Sequence, residues 1–109
     1  MSKILDKTLS VTSNSAGACF DEIIHAPNRL QICALLVTTN EMEFKVLREY
    51  MEVSDSVLSK HIKTLETTEY VKVQKRTNHG RQRTWLSLTK QGVAAYEGHV
   101  QELKRILGN

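Results

Sequence analysis

A chain of 109 residues with 40% hydrophobic and 25% charged residues has the composition of one small folded domain, which excludes a large single-chain enzymatic cleft and a disordered polymer. No apolar run approaches the roughly 18 residues of a membrane span, and no basic stretch followed by an apolar one marks a signal peptide, so a cytoplasmic protein without a membrane partner is expected. The net charge of +3 is unevenly distributed: residues 57–91 carry eight cations against two acids, whereas residues 41–56 carry five acids against two cations.

Residues 1–18 are rich in Ser, Thr and small side chains and read as an arm preceding a domain that covers 19–109. In "FDEIIHA", Phe20, Ile23 and Ile24 share one face of a short helix, and Pro27 suits the first turn of the next. That second helix is expected to bury Leu30, Ile32, Cys33, Leu35 and Leu36 and to end near Thr39. Cys19 and Cys33 are too few and too far apart for a disulfide framework or a paired-thiolate metal site, and both read as buried thiols.

"MEFKVLREYM" predicts a short extended piece leading into a third helix, with Leu47 and Met51 one turn apart on its buried stripe. Ser54 then suits an N-cap and Asp55 the positive end of a helix dipole, so a fourth helix runs from about Asp55 to Thr67. Leu58, Ile62 and Leu65 fall on one side of it, while Ser56, Ser59, Lys60, Lys63 and Thr67 cover the other. His61 lies at the edge of the apolar side and reads as a packed or hydrogen-bonded residue.

"YVKVQKR" and "RTWLSLT" alternate apolar and polar residues as two half-buried strands do. Between them "KRTNHGRQR" reads as the connecting loop, with Asn78 and Gly80 as residues tolerant of positive φ. Trp85 points opposite to Leu86, toward support of the hairpin or of a partner subunit. Finally Thr89 caps a long helix in which Val93, Tyr96, Val100, Leu103 and Leu107 repeat at steps of three and four, a seam that serves either a homodimer or the helix's own domain. His99 and Glu102, one turn apart on this helix, make too small a set for a metal and read as exposed.

Two helices joined by a tight turn and followed by a β-hairpin give a mostly α fold with a small β-hairpin wing, α+β, the order of a winged helix-turn-helix. Short hydroxyl side chains and lysines on the outward face of the fourth helix suit close approach to base edges and phosphates in a major groove. The hairpin residues Lys75, Arg76, His79, Arg81 and Arg83 would lie on adjacent backbone or in the minor groove of the same duplex. Double-stranded DNA is therefore the expected partner.

The segment "SDSVLSKHIKTLETTEYV" resembles the recognition-helix region of winged-helix regulators related to the MarR and ArsR families, with Ser59, His61 and Ile62 matching one motif and Leu65, Tyr70 and Val71 a second. "RTWLSLTKQGVAAYEGHV" is similar to the strand, "LT..G" turn and dimer helix that close such domains. The resemblance implies a transcriptional regulator and homodimer over roughly residues 20–107. Glu52 and Glu69 stand where that family usually has glycine, and positive φ at either would cost about 1 kcal/mol.

Two other classes compete: a winged-helix module binding an acidic protein, and a ligand- or metal-responsive sensor of the same fold. No glycine-rich phosphate loop, nucleophile-base pair or carboxylate cluster points to an enzyme, and no metal or other cofactor is implied.

Overall fold

The computed structural model describes residues 18–108, so the N-terminal arm lies almost wholly outside the described residues. Chain order is α1 (Glu22–His25), α2 (Pro27–Leu36), β1 (Met42–Glu43), α3 (Phe44–Met51), α4 (Asp55–Thr67), β2 (Val71–Asn78), β3 (Arg81–Leu88) and α5 (Lys90–Leu107). The strands form one antiparallel sheet in the order β1-β3-β2. This is the expected α+β architecture, with β1 as a third strand: Met42 pairs with Leu86 and Glu43 with Trp85.

The core draws on each long element except α5: Ile32, Cys33 and Leu36 from α2, Leu47 from α3, Leu58, Ile62 and Leu65 from α4, and Val71 and Leu86 from the sheet, with Ile24 from α1. Periodicity selects most of these, and burying each large aliphatic side chain stabilises the fold by about 1.5 to 3 kcal/mol; Leu30, Leu35 and Met51, also expected to be buried, are only half-buried against the core, and Phe20 precedes α1 and is exposed. From α5, Ala95 and Tyr96 pack against this core from its edge.

Local chemistry sets the boundaries. Ser54 Oγ accepts from Val57 N–H at 3.2 Å and Thr89 Oγ1 from Gly92 N–H at 2.9 Å, so both expected caps form. Helix α2 stops at Leu36, earlier than the periodicity suggests, because the Thr38 hydroxyl donates to Leu35 C=O at 2.8 Å and the Thr39 hydroxyl to Glu41 C=O at 3.1 Å. Such side-chain bonds to nearby backbone offer an alternative to further helix. The hairpin loop is also shorter than expected. Pairing continues out to Asn78 and Arg81, leaving only His79 and Gly80, both left-handed at φ 53° and 77°, as the two-residue turn. Polar residues hide the strand pattern there because neither face of the hairpin tip meets the core. Asn78 is thus a strand residue, and His79 takes the left-handed position.

Both glutamates at the family's glycine positions have positive φ, 57° for Glu52 and 69° for Glu69. Glu52 ends α3 and makes the turn into α4. Glu69 leads out of α4 into a corner where Thr89 Oγ1 donates to Glu69 C=O at 2.7 Å and Thr89 N–H to Tyr70 C=O at 3.0 Å. Gly92 faces the same corner, and a Cβ on it would sit 2.1 Å from the Tyr70 carbonyl oxygen. The glycine of the "LT..G" turn is required by this approach of α5 to the backbone behind α4.

Two sequence expectations are corrected at the other side of α5. His99 is fully buried rather than exposed: Asp21 N–H donates to its Nδ1 at 2.9 Å, and its Nε2 lies 3.1 Å from His25 Nδ1. An Nδ1 that accepts leaves the ring proton on Nε2, directed at His25. Burial first, then His25, pushes the His99 pKa below its ordinary value. Asp21 also caps α1 through Ile24 N–H at 3.0 Å and accepts the Tyr70 hydroxyl at 2.6 Å. Cys19 is exposed, because the short segment before α1 is held by its backbone N–H on Gly98 C=O at 2.9 Å while its thiol faces outward. Cys33 is buried as expected, and burial, with Asp21 second, raises its thiol to about 12.

Candidate nucleic-acid interface

Helices α3 and α4 meet through the Glu52 turn, and Arg48 of α3 donates to Asp55 in the first turn of α4 at 2.8 Å. This helix pair packs Leu47 and Leu58 inward. The remaining face of α4 is open: Ser56, Ser59, Lys60, Lys63 and Thr67 are all exposed. His61 is half-buried, with Arg29 donating to its Nδ1 at 3.2 Å and the Asn28 amide 3.4 Å from Nε2. Burial, Arg29 and Lys60 together depress its pKa. It therefore ties α4 to α2, as its place at the edge of the apolar side suggests.

Directly paired residues of an antiparallel hairpin point to the same side. On one side lie Val71, Val73 and Lys75 of β2 with Leu88, Leu86 and Thr84 of β3. The lower pairs enter the core. Beyond them, Lys75 and Thr84 join Ser59, Lys63 and Glu66 of α4 in lining an open cleft of about 290 Å³, floored by Phe44, Ile62 and Val73. The structure therefore brings together Ser59, Lys63 and Lys75, residues that come from two elements, and sets them about one groove between the helix and the wing.

The other side of the hairpin carries Gln74, Arg76 and Asn78 opposite Trp85, Arg83 and Arg81. Here the cations are not equivalent. Arg76 forks onto the Glu41 carboxylate, NH1 to Oε2 at 3.1 Å and NH2 to Oε1, and its guanidinium lies 5.1 Å from the centroid of the Trp85 ring. Arg83 donates to Glu43 at 3.3 Å. Arg81 makes no ion pair among the described residues and lines, with Lys45 and Glu49, a second cleft of about 390 Å³ between α3 and the wing. His79 is exposed at the tip.

Glu41 and Glu43 are the functional candidates that sequence reasoning missed. The available signal was the acidic balance of residues 41–56 immediately before a cationic segment, with acids alternating around Met42 as strand side chains do.

On α5, Val93, Tyr96, Val100 and Leu103 are half-buried, while Leu107 is 72% exposed. Tyr96 and Val100 border a shallow depression with Glu97, Gln101 and Lys104. Among the described residues no helix is long and apolar enough to cross a membrane, and no group of three or more His, Cys, Asp or Glu is arranged to hold a metal ion.

Comparison with known proteins places this geometry. The family described as "Winged helix DNA-binding domain" matches residues 28–107. An uncharacterized protein of Methanocaldococcus jannaschii is 30% identical over 88 residues, 81% of this chain and 96% of its own length. Among solved structures, a transcriptional regulator homologue from Pyrococcus horikoshii superposes with a TM-score of 0.75 at 26% identity, over 79% of this chain and 85% of that one. HlyU from Vibrio cholerae gives 0.57 at 25% identity, over 81% and 87%. The fold alone is shared with the PcaV transcriptional regulator from Streptomyces coelicolor, at TM-score 0.64 and 17% identity over 82% of this chain and 64% of that one. With α3 and α4 forming the helix-turn-helix and β2 and β3 the wing, the chain belongs to the winged helix DNA-binding domain family, a family of transcriptional regulators.

Proposed function

We propose that the protein is a sequence-specific regulator that seats α4 in the major groove of double-stranded DNA and rests its wing on the adjacent backbone or minor groove. The observation that carries this reading is the cleft in which Ser59 and Lys63 of α4 face Lys75 of β2. A helix face presenting Lys60, Lys63 and short hydroxyls, and a cationic hairpin, bordering one groove suit a single polyanion wide enough to touch both. Ser56, Ser59, Lys60, Lys63 and Thr67 are assigned to the duplex groove, and Lys75, His79 and Arg81 to its flank; Arg76 and Arg83 take a different part, described below.

Dimerisation through α5 belongs to the same proposal. A seam from Val93 to Leu107 that its own domain covers only partly, with Ile106 and Leu107 exposed, suits a second copy of the helix. Two α4 helices would then address two half-sites.

Selection of bound duplexes from a random pool, followed by salt titration of the selected sequence, tests the reading. A recovered motif with two related half-sites, and an affinity that falls steeply with salt, is the expected result. Recovery of no motif, with binding no tighter than to random duplex, would refute sequence-specific recognition.

A further inference from the structure

Four arginines and lysines in nine residues of the hairpin look like one phosphate-binding cluster, yet two of them already hold partners, Arg83 on Glu43 of β1 and Arg76 on Glu41 just before that strand. Strand β1 lies on the far side of β3 from β2. To reach Glu41, Arg76 must cross β3, and it does so over the ring of Trp85, with its NH2 also 3.3 Å from Gln74 Oε1. Arg83, directly opposite Arg76 in the register, reaches Glu43, whose side chain is only 16% exposed. Thus β2 and β3 are both tied, on the side of the sheet away from the α4 cleft, to β1 or to the residue just before it.

We propose that Glu41, Arg76 and Trp85 form a clamp that sets the angle of the wing against α4, and that Arg76 is a positioning residue rather than a phosphate contact. The proposal rests on the DNA-binding reading given above. Three features favour it. A two-pronged guanidinium-carboxylate pair fixes direction as well as distance, which a point charge does not. The Trp85 ring lies beneath the guanidinium in a cation-π contact. And the pair joins the outermost strand of the hairpin to the residue just before the strand that leads into α3, so the clamp spans from the wing to the approach to the helix-turn-helix. Glu43 and Arg83 form a second, weaker brace one step nearer α3. Of those four cations, the ones left to meet the duplex are then Lys75, on the cleft side, and Arg81, near the tip.

Trp85 is the only tryptophan in the chain, so its fluorescence reports the clamp without DNA. The experiment compares wild type, Glu41→Gln, Arg76→Gln, Arg76→Lys and the Glu41→Gln/Arg76→Gln pair, each checked for an unchanged circular dichroism spectrum. Quenching of Trp85 by acrylamide, an uncharged probe, is measured first; binding to the selected duplex over a range of salt follows. The clamp predicts greater quenching in every variant and affinity lowered about two- to fivefold, the range of a partly exposed ion pair. The double variant is expected to lose no more than either single one, and the slope of log K against log salt to stay the same.

Glu41→Gln is the sharpest arm, because removing a negative charge from a DNA-binding protein should by charge alone tighten binding. Tighter binding with a steeper salt slope would show that Glu41 merely masks a phosphate-binding arginine and would overturn the proposal. So would a slope shallower by about 0.9 in Arg76→Gln that Arg76→Lys restores, the mark of a lost phosphate contact. Unchanged quenching in all variants would overturn it as well. If quenching rises as expected but wild type binds no duplex, the DNA reading fails and the clamp stands only as a brace of the sheet.

Discussion

Helix α4 and the wing both present cations, two lysines beside Asp55 and Glu66 on the helix and five cations with no acid on the two strands, and the fold treats them differently. On α4, Lys60 and Lys63 project from the face opposite Leu58, Ile62 and Leu65, and no acid from another element reaches them among the described residues. On the wing, Arg76 and Arg83 are held by Glu41, just before β1, and Glu43 of β1, while among the described residues Lys75 and Arg81 make no such pair. A helix isolates its outward face from its neighbours by geometry alone. A strand lies beside other strands, and its outward side chains are within reach of theirs. Cations counted along a sequence therefore overstate the charge that a wing offers to a ligand.

The largest expected effect lies on the helix side of this contrast. Lys63→Ala and Ser59→Ala should each weaken binding to the selected duplex by about 1 to 3 kcal/mol, with much less change on random duplex. Titration of both duplexes side by side measures the difference, and equal losses on the two would move these residues from base to backbone contacts. On the wing, Lys75→Ala and Arg81→Ala should each make the salt slope shallower by about 0.9 without altering the preferred sequence. An Arg81 variant that also relaxes preference in A·T-rich flanks would place that side chain in a narrow minor groove.

Glu52→Gly and Glu69→Gly sharpen the contrast from the stability side, since both strained residues flank α4. Each should raise stability by up to about 1 kcal/mol, less the entropy that glycine adds to the unfolded chain. Urea denaturation reads the change, and no gain at either position would mean that the glutamates compensate their own strain.

The smallest effect concerns pH. His61 and His99 have pKa values below the ordinary 6.5, so between the folded and unfolded values the unfolded chain binds more protons. Their contribution is fully present above about pH 6.5 and is lost as pH falls below it. The melting temperature should decline on acidification from about pH 7 to about pH 5, and His99→Gln should flatten that decline in part, leaving the His61 share. A profile identical in wild type and variant would show that His99 protonates without disturbing Asp21 and His25.

What could be read from the sequence follows from the range over which each feature is encoded. The limits of α4, its cap at Ser54 and its two faces depend on residues within a few turns of one another, and they were legible. So were the strained glutamates, through a family pattern. The hairpin turn was misplaced by one residue because His79 and Asn78 are both plausible left-handed residues and only the pairing of Asn78 with Arg81 decides between them. The partners of Arg76, Arg83 and His99 lie 35, 40 and 78 residues away. No spacing rule reaches that far, and neither the clamp nor the burial of His99 could be derived before the chain was folded.

Gly92 has a mechanical consequence. With the first turn of α5 pressed against the Tyr70 carbonyl, and Thr89 bonded to both Glu69 and Tyr70, the exit of α4 and the start of α5 behave as a welded joint rather than a hinge. In a dimer joined through α5, the distance between the two reading heads would then be set by how the α5 helices cross. A small rotation at that crossing would be carried to both heads with the full length of the domain as its lever arm.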